Sequence, residues 1–479
     1  MVRTRSIGRD AWTKLASRES NRVAWAGQKD FGGGISAGCM RAAFPGPMTF
    51  GGRRAAMDEL GRTTVHQVTW RLIPLLGLLY MVAYIDRQNV SYAKLQMVGD
   101  LGISEAAYGL GAGLFFVGYC LFEVPSNLIL ERVGARRWFA RIMASWGVVT
   151  LLLGFTQSPT MFYILRFLLG VAEAGFFPGV LYALTLWFPQ AHRARAIGLF
   201  MLASAVANAV GAALGGLLLD LDGLGGLRGW QWVFLATGAP ALLLVPVVLR
   251  YLPSGPDEAR WLTPAQKTWL AEVLEAERTA GGREAHGNPL RALLDPRVLM
   301  LSAAYVGFPL AAYGLSYWLP TIVQGFGVSN TVNGFLNITP WVLVGLALWA
   351  VPRHAARYAD QRWHIVVPAI VGGICLIGSV VVPGAVAKFA LLCIAAPAIF
   401  SGQPVFWTLP PRFLSGAGAA AGLAIINSVG NLGGFVAQTV VPRIRDETGS
   451  DLAPMLFLAA CLFAAAVGVL VVERRLPRG

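Results

Sequence analysis

Apolar stretches long enough to cross a bilayer recur along this chain, separated by short charged or Pro/Gly-rich breaks. A hydrocarbon core of ~30 Å needs about 20 helical residues. The pattern predicts twelve spanning helices, at approximately 70–93, 107–130, 137–156, 160–183, 195–219, 230–252, 298–320, 332–352, 364–383, 388–409, 418–441 and 453–472. They fall into two sets of six, 66–252 and 298–472. Between them lies a hydrophilic connector, 253–297, with a helical-looking run from Thr263 to Arg278. The expected fold is therefore an all-α membrane protein of two pseudo-symmetric six-helix bundles. Transporters built from repeats hold their substrate between the halves. Basic loops after the second span (Glu131, Arg132, Gly134, Arg136) and after the eighth (Arg353, Arg357, Arg362) give a weak internal echo.

Composition agrees with the pattern: 56% of the 479 residues are hydrophobic and only 13% charged, which excludes a soluble globule. The formal charge of +14 raises nucleic acid as a partner, but its distribution argues for topology. With the N-terminus inside, 12 Lys and Arg lie in the tail through Arg71 and 20 in the inner loops and C-terminal tail, residues 473–479 included. The outer loops carry 5: Lys94, Arg228, Lys388, Arg443 and Arg445. That asymmetry predicts an integral plasma-membrane protein with both termini cytoplasmic, and no nucleic-acid partner. The bilayer is the expected surrounding, and a monomer the expected state. The cysteines (Cys39, Cys120, Cys375, Cys393, Cys461) have no metal or redox spacing. Residues 1–65 are basic, Gly-rich and without apolar period, the composition of a disordered tail, and Met57 is a candidate translation start.

Against this apolar background four ionisable residues stand out: Asp86 and Arg87 in the first span, Arg166 and Glu173 in the fourth. Each unpaired charge at the bilayer centre costs roughly 2.5–3.5 kcal/mol on insertion scales. They must pair with each other or with a ligand. Arg166 and Glu173 are seven residues apart and so share a helix face, whereas Asp86 and Arg87 point about 100° apart. One of the latter can face a neighbouring helix and the other a cavity. Arginine suits carboxylate recognition because its planar fork gives two parallel charge-assisted hydrogen bonds and never deprotonates. A buried carboxylate beside it is sensitive to what the arginine is doing, and is a candidate proton-coupling group. Structural ion pairs are the competing reading for both sites.

Four stretches carry a family resemblance: Tyr84 to Ser91, Glu123 to Asn127 with the Glu131–Gly134 loop, Arg166 to Gly175 with Pro178-Gly179, and Gly422 to Phe435. In this order they resemble the major facilitator superfamily and, within it, the anion:cation symporter family, most closely its bacterial tartrate and aromatic-acid permeases. The resemblance implies that Arg87 contacts substrate, that Asp86 and Glu173 exchange protons, and that Arg166 pairs with and positions these acids. It also implies that Tyr84, Tyr119 and Asn427 line the site, and that Glu131, Arg132, Gly134 and Arg136 form a gating loop. Ala356 stands where the family usually has an acid, and Asp360 is the candidate substitute. Because the C-terminal spans lack charge away from their ends, coupling is expected from the N-terminal half and selectivity from Tyr313, Trp318, Ser401, Trp407 and Asn427. Glu123, beside Pro125, reads as structural rather than functional. Glycines at 211, 215, 216, 422, 430, 433 and 434 mark close helix approach.

The function these expectations describe is proton-coupled import of a small organic anion, such as tartrate, a sugar acid or an aromatic acid, by alternating access. No cofactor is called for, since the proton gradient drives the cycle. A drug or organic-cation exporter of the same superfamily is the alternative, with a membrane receptor or sensor further off. Two embedded arginines argue against a cation, and no span holds the motif of a hydrolase or metalloenzyme.

Overall fold

The computed structural model describes residues 50–284, 295–355, 357–358, 360–407, 409–410 and 416–474. Fourteen α-helices and two 3₁₀ turns make up the regular structure of these residues, and none of them is in a strand. The N-terminal half contains α1 (Phe50–Leu101), α2 (Glu105–Val133), α3 (Ala135–Leu153), α4 (Pro159–Glu173), α5 (Phe176–Thr185), α6 (Gln190–Leu219) and α7 (Gly229–Tyr251). The connector helix α8 (Pro264–Glu284) follows, covering the run anticipated from Thr263. The second half contains α9 (Pro296–Gln324), α10 (Asn330–Ala355), α11 (Trp363–Val381), α12 (Ala385–Phe406), α13 (Gly416–Thr448) and α14 (Leu452–Glu473). Among the described residues, ten of the anticipated spans are long and apolar enough to cross a membrane by length and composition. Of the other two, α3 carries Arg136, Arg137 and Arg141, and α13 begins among residues whose side chains are not described. The tail before Phe50, Cys39 and Ala356 lie outside the described residues.

Local chemistry sets the breaks. Ser104 and Ser158 accept from the backbone of Ala107 and Met161 and so start α2 and α4, the latter with Pro159 in its first turn. The span anticipated as continuous over 160–183 is broken directly after Glu173. Gly175 takes φ +83°, and a Cβ there would meet Ser126 Oγ at 2.3 Å. That Ser126 hydroxyl donates to the Ala174 carbonyl at 2.7 Å and bridges α2 to the break.

The first span also differs from its expected length. Residues 56–65, expected in the tail, belong to α1, with Met57 buried. At its other end α1 runs on to Leu101, so Lys94 is helical and buried rather than a loop cation. Burial is tolerated because the ammonium meets Glu105 at 2.6 Å and sits 3.5 Å from the Trp318 ring centroid.

The halves meet with pseudo-two-fold logic: the second span packs on the eleventh (α2 on α13) and the fifth on the eighth (α6 on α10). Glycine makes both approaches possible, since a Cβ on Gly109 would lie 2.2 Å from the Gln438 carbonyl and one on Gly216 2.4 Å from that of Asn330. Hydrogen bonds and ion pairs join the halves at the end opposite the connector. There Glu105, ion-paired with Lys94 within the first half, pairs across with Arg445 (3.4 Å), Asp446 accepts from the Ala106 amide (2.8 Å), and Asp220 accepts from Asn330 (2.9 Å) and Thr331. At the connector end, Gln67 of α1 instead donates to the Trp261 carbonyl (2.7 Å) and accepts from Gln266 (3.0 Å).

Glu105 is thus the shared carboxylate of a latch. Losing Glu105 removes the Lys94 pair, within the first half, in either arrangement, whereas losing its contact with Arg445, between partly exposed groups of opposite halves, costs up to about 1 kcal/mol. Because that cost falls on the closed arrangement alone, Glu105→Gln is expected to shift the protein toward opening at this end. Spin labels at Asp222→Cys and Thr448→Cys, on opposite halves in a background without other cysteines, should gain a longer-distance population. An unchanged distance distribution would show that the latch does not hold the end shut.

Candidate functional site

Between the halves, below the latch, lies a cavity lined from the first half by Tyr84, Arg87, Gln88, Ser91, Phe115, Phe116 and Arg166, and from the second by Tyr313, Ser316, Tyr317 and Gln438. Its position follows from packing. Gly170 lets α4 approach α2 so closely that a Cβ would lie 2.1 Å from the Phe115 carbonyl. Phe115 and Arg166 are thereby brought onto one wall.

At this site α1 directs its two consecutive charged residues differently, as helical geometry requires. Arg87 faces the cavity, and its Nε donates to Glu173 Oε1 at 2.6 Å. Its guanidinium carbon lies 5.1–5.7 Å from the ring centroids of Tyr84, Phe115 and Tyr119. Glu173 is almost wholly buried, and its second oxygen has no partner. Asp86 faces away and accepts from Asn89 Nδ2 (2.9 Å) and Thr150 Oγ1 (3.0 Å); Asn89 donates in turn to Thr237 (3.1 Å). Neutral donors, not an arginine, hold Asp86, and through them it ties α1 to α3 and α7.

The anticipated pairing of Arg166 with these acids is not what the structure shows. Among the described residues no carboxylate lies within salt-bridge distance of Arg166; Nη2 donates to the Ala112 carbonyl at 3.1 Å and the guanidinium carbon rests 5.1 Å from the Phe115 centroid. Its Nε and Nη1 are buried without partners. Two guanidinium groups therefore flank Phe115, one matched by Glu173 and the other unmatched. Arg166 turns toward the cavity because the α2 backbone, close at Gly170, takes only one edge of its fork.

Other expectations are redistributed. Tyr84 and Tyr313 line the cavity, and Tyr119 borders Arg87. Asn427 is half-buried on α13 and does not line the cavity. Trp318 belongs to the latch through Lys94, Ser401 is buried in the second half, and Trp407 donates to the Tyr305 hydroxyl at 3.2 Å. Glu123 is buried one helical turn beyond Tyr119, with Oε2 unpartnered. Of the anticipated gating loop, Glu131 and Arg132 are exposed in the last turn of α2, Gly134 takes φ +87° and alone separates α2 from α3, and Arg136, in the first turn of α3, pairs with Glu258 of the connector at 3.3 Å. Asp360 pairs with its neighbour Arg362 at 2.9 Å.

Sequence reasoning missed Ser316, Tyr317 and Gln438. A signal was present: Tyr313, Ser316 and Tyr317 stand at i, i+3 and i+4 and share one face of α9. Gln438 lies eleven residues, about three turns, beyond Asn427 and so on the same face of α13.

Comparison with known proteins agrees with this architecture. The sequence profile of the Major Facilitator Superfamily matches residues 76–438. A quinolone resistance transporter of Acinetobacter baumannii is 45% identical over 421 residues, covering 88% of this chain and 97% of that protein. A protein of Agrobacterium vitis named as a tartrate transporter is 43% identical over 429 residues, covering 88% and 94%. The crystal structure of a D-xylose-proton symporter superposes with a TM-score of 0.65 at 16% identity, over 86% of this chain and 98% of that one, a likeness of fold. The spans, the buried arginines between two halves and these similarities lead to one conclusion: the chain is an integral membrane protein of the major facilitator superfamily, a permease of the anion:cation symporter type that carries small organic substrates rather than an enzyme.

Proposed function

We propose that the protein imports a small organic carboxylate together with protons. The observation that carries this reading is the pair of part-buried Arg87 with buried Glu173 at the cavity wall, with Arg166 unmatched beside it. Glu173 and a substrate carboxylate are rivals for one guanidinium. When Glu173 takes up a proton, Arg87 is released to bind the anion, to which its planar fork can offer two parallel donors. Loss of that proton on the other side returns Glu173 to Arg87 and expels the anion. Asp86 is the second acid, and its proton exchange requires the bonds from Thr150 and Asn89 to rearrange. Only a centre that is empty and internally paired, or loaded and neutralised, passes cheaply through the occluded state.

In this reading the connector end, with both termini, is cytoplasmic, in an inner (plasma) membrane, and the latch closes the outer face. The loop of Glu131, Arg132, Gly134 and Arg136 is the inner gate, tied to the connector through Glu258. The bundles divide at 66–252 and 298–472, and the permease works as a monomer. A tartrate-like anion is the first candidate, given the similarity to the A. vitis protein. Similarity to the quinolone resistance transporter favours a second reading, drug export.

Purified protein in liposomes should accumulate a radiolabelled carboxylate when an inward pH gradient is imposed, and stop when a protonophore collapses it. Accumulation indifferent to the gradient would refute proton coupling. Movement of a quinolone but of no carboxylate would establish the second reading.

A further inference from the structure

The wall of the cavity nearest the latch has polar atoms that the Arg87–Glu173 exchange does not use. Gln438 is buried on α13, and its Oε1, an acceptor, has no donor. Opposite in chemistry are the donors left over: Nε and Nη1 of Arg166 and the hydroxyl of Tyr317. Ser316 already donates to the Ala312 carbonyl at 2.8 Å, so at the cavity it offers lone pairs only. Gln88, by contrast, is committed to Asn208 at 2.6 Å. Close packing fixes the α13 wall, because the Gln438 backbone abuts Gly109 of α2.

We propose that Gln438, with Tyr317 and Arg166, forms a second substrate pole that reads a hydroxyl beside a distal carboxylate, so that Gln438 is the residue that separates a hydroxylated dicarboxylate from a plain one. This rests on the organic-anion reading above and extends it to specificity. Arg87 takes the first carboxylate. Arg166, the cation without a counter-ion, takes the second. An orphaned acceptor at Gln438 requires a donor, which a hydroxyl supplies and an aromatic edge or a plain methylene does not. A cargo with that group satisfies the buried amide oxygen while one without it leaves the oxygen as it stands, a difference expected to favour the hydroxylated cargo roughly 10-fold.

The test compares two four-carbon dicarboxylates that differ by one hydroxyl, malate and succinate, by titration calorimetry on the full-length protein in detergent. Wild type should bind malate about 10-fold more tightly than succinate. In Gln438→Met, of similar length but without the amide, the ratio should fall to within about 2-fold. A melting curve confirms that the variant folds. Equal affinities in wild type, or an undiminished ratio in Gln438→Met, would overturn the proposal alone. If the wild type binds none of a set of organic acids that includes monocarboxylates, the organic-anion reading fails and takes this one with it.

Discussion

Replacing Arg87 by lysine is expected to lower the initial rate of carboxylate uptake by roughly 10- to 100-fold, the loss of a charge-assisted hydrogen bond worth about 1.5–3 kcal/mol. The charge survives this change, but the planar fork does not. A lysine offers a point charge where a carboxylate needs two parallel donors, so the substitution is not conservative here. Arg87→Ala has a second effect, because it strands Glu173 in a buried site with no cation at 2.6 Å. Melting temperature should therefore drop as well. The double variant Arg87→Ala, Glu173→Gln should recover stability without recovering transport. That separation of the two readouts distinguishes a substrate-binding arginine from one that only pairs helices. Full uptake by Arg87→Lys, or recovery of transport in the double variant, would contradict the assignment.

Glu173→Gln is expected to break coupling while sparing exchange. The amide resembles the protonated acid, so it no longer competes for Arg87 as a carboxylate does. Anion-for-anion exchange across the membrane should persist. Net accumulation against an inside-negative potential should not, since 100 mV opposes a monoanion by about 2.3 kcal/mol, roughly 50-fold in concentration. The pH dependence has a definite sign. In wild type, lowering the pH protonates the competitor, so anion affinity rises as pH falls; in Glu173→Gln that rise should disappear. Exchange and accumulation assayed on the same liposomes give both results. A variant that still concentrates substrate under an imposed pH gradient would move the coupling proton elsewhere, with Asp86 and Glu123 the next carboxylates to examine.

Much of the architecture was legible because a bilayer imposes a simple rule on sequence: backbone polar groups must be satisfied within helices, and such helices must be apolar over a fixed length. Span positions, the connector helix and the family all follow from local patterns of that kind. The four embedded charges were equally visible, since their rarity is what marks them. Consecutive placement of Asp86 and Arg87 already required them to diverge, and helical geometry made this certain.

What could not be read was which partner each charge finds. Arg166 and Glu173 share a helix face, and that suggested shared chemistry. Instead Glu173 reaches across to α1, because the chain breaks at Gly175 and α4 lies tight against α2 at Gly170. Lys94, counted as a loop cation, is buried because Glu105 and Trp318, eleven and more than two hundred residues away, meet it there. Gln438 is one polar residue near the end of its span, and only the packing of α13 on α2 places it at the cavity. The sequence by itself determined the helices, the two halves they suggest and the kinds of charge at the centre, since these depend on length, hydropathy and residue chemistry along one chain. Tertiary structure alone decided the pairing, the closed end and the orphaned donors and acceptors that await a ligand, because each depends on distances between helices remote in sequence.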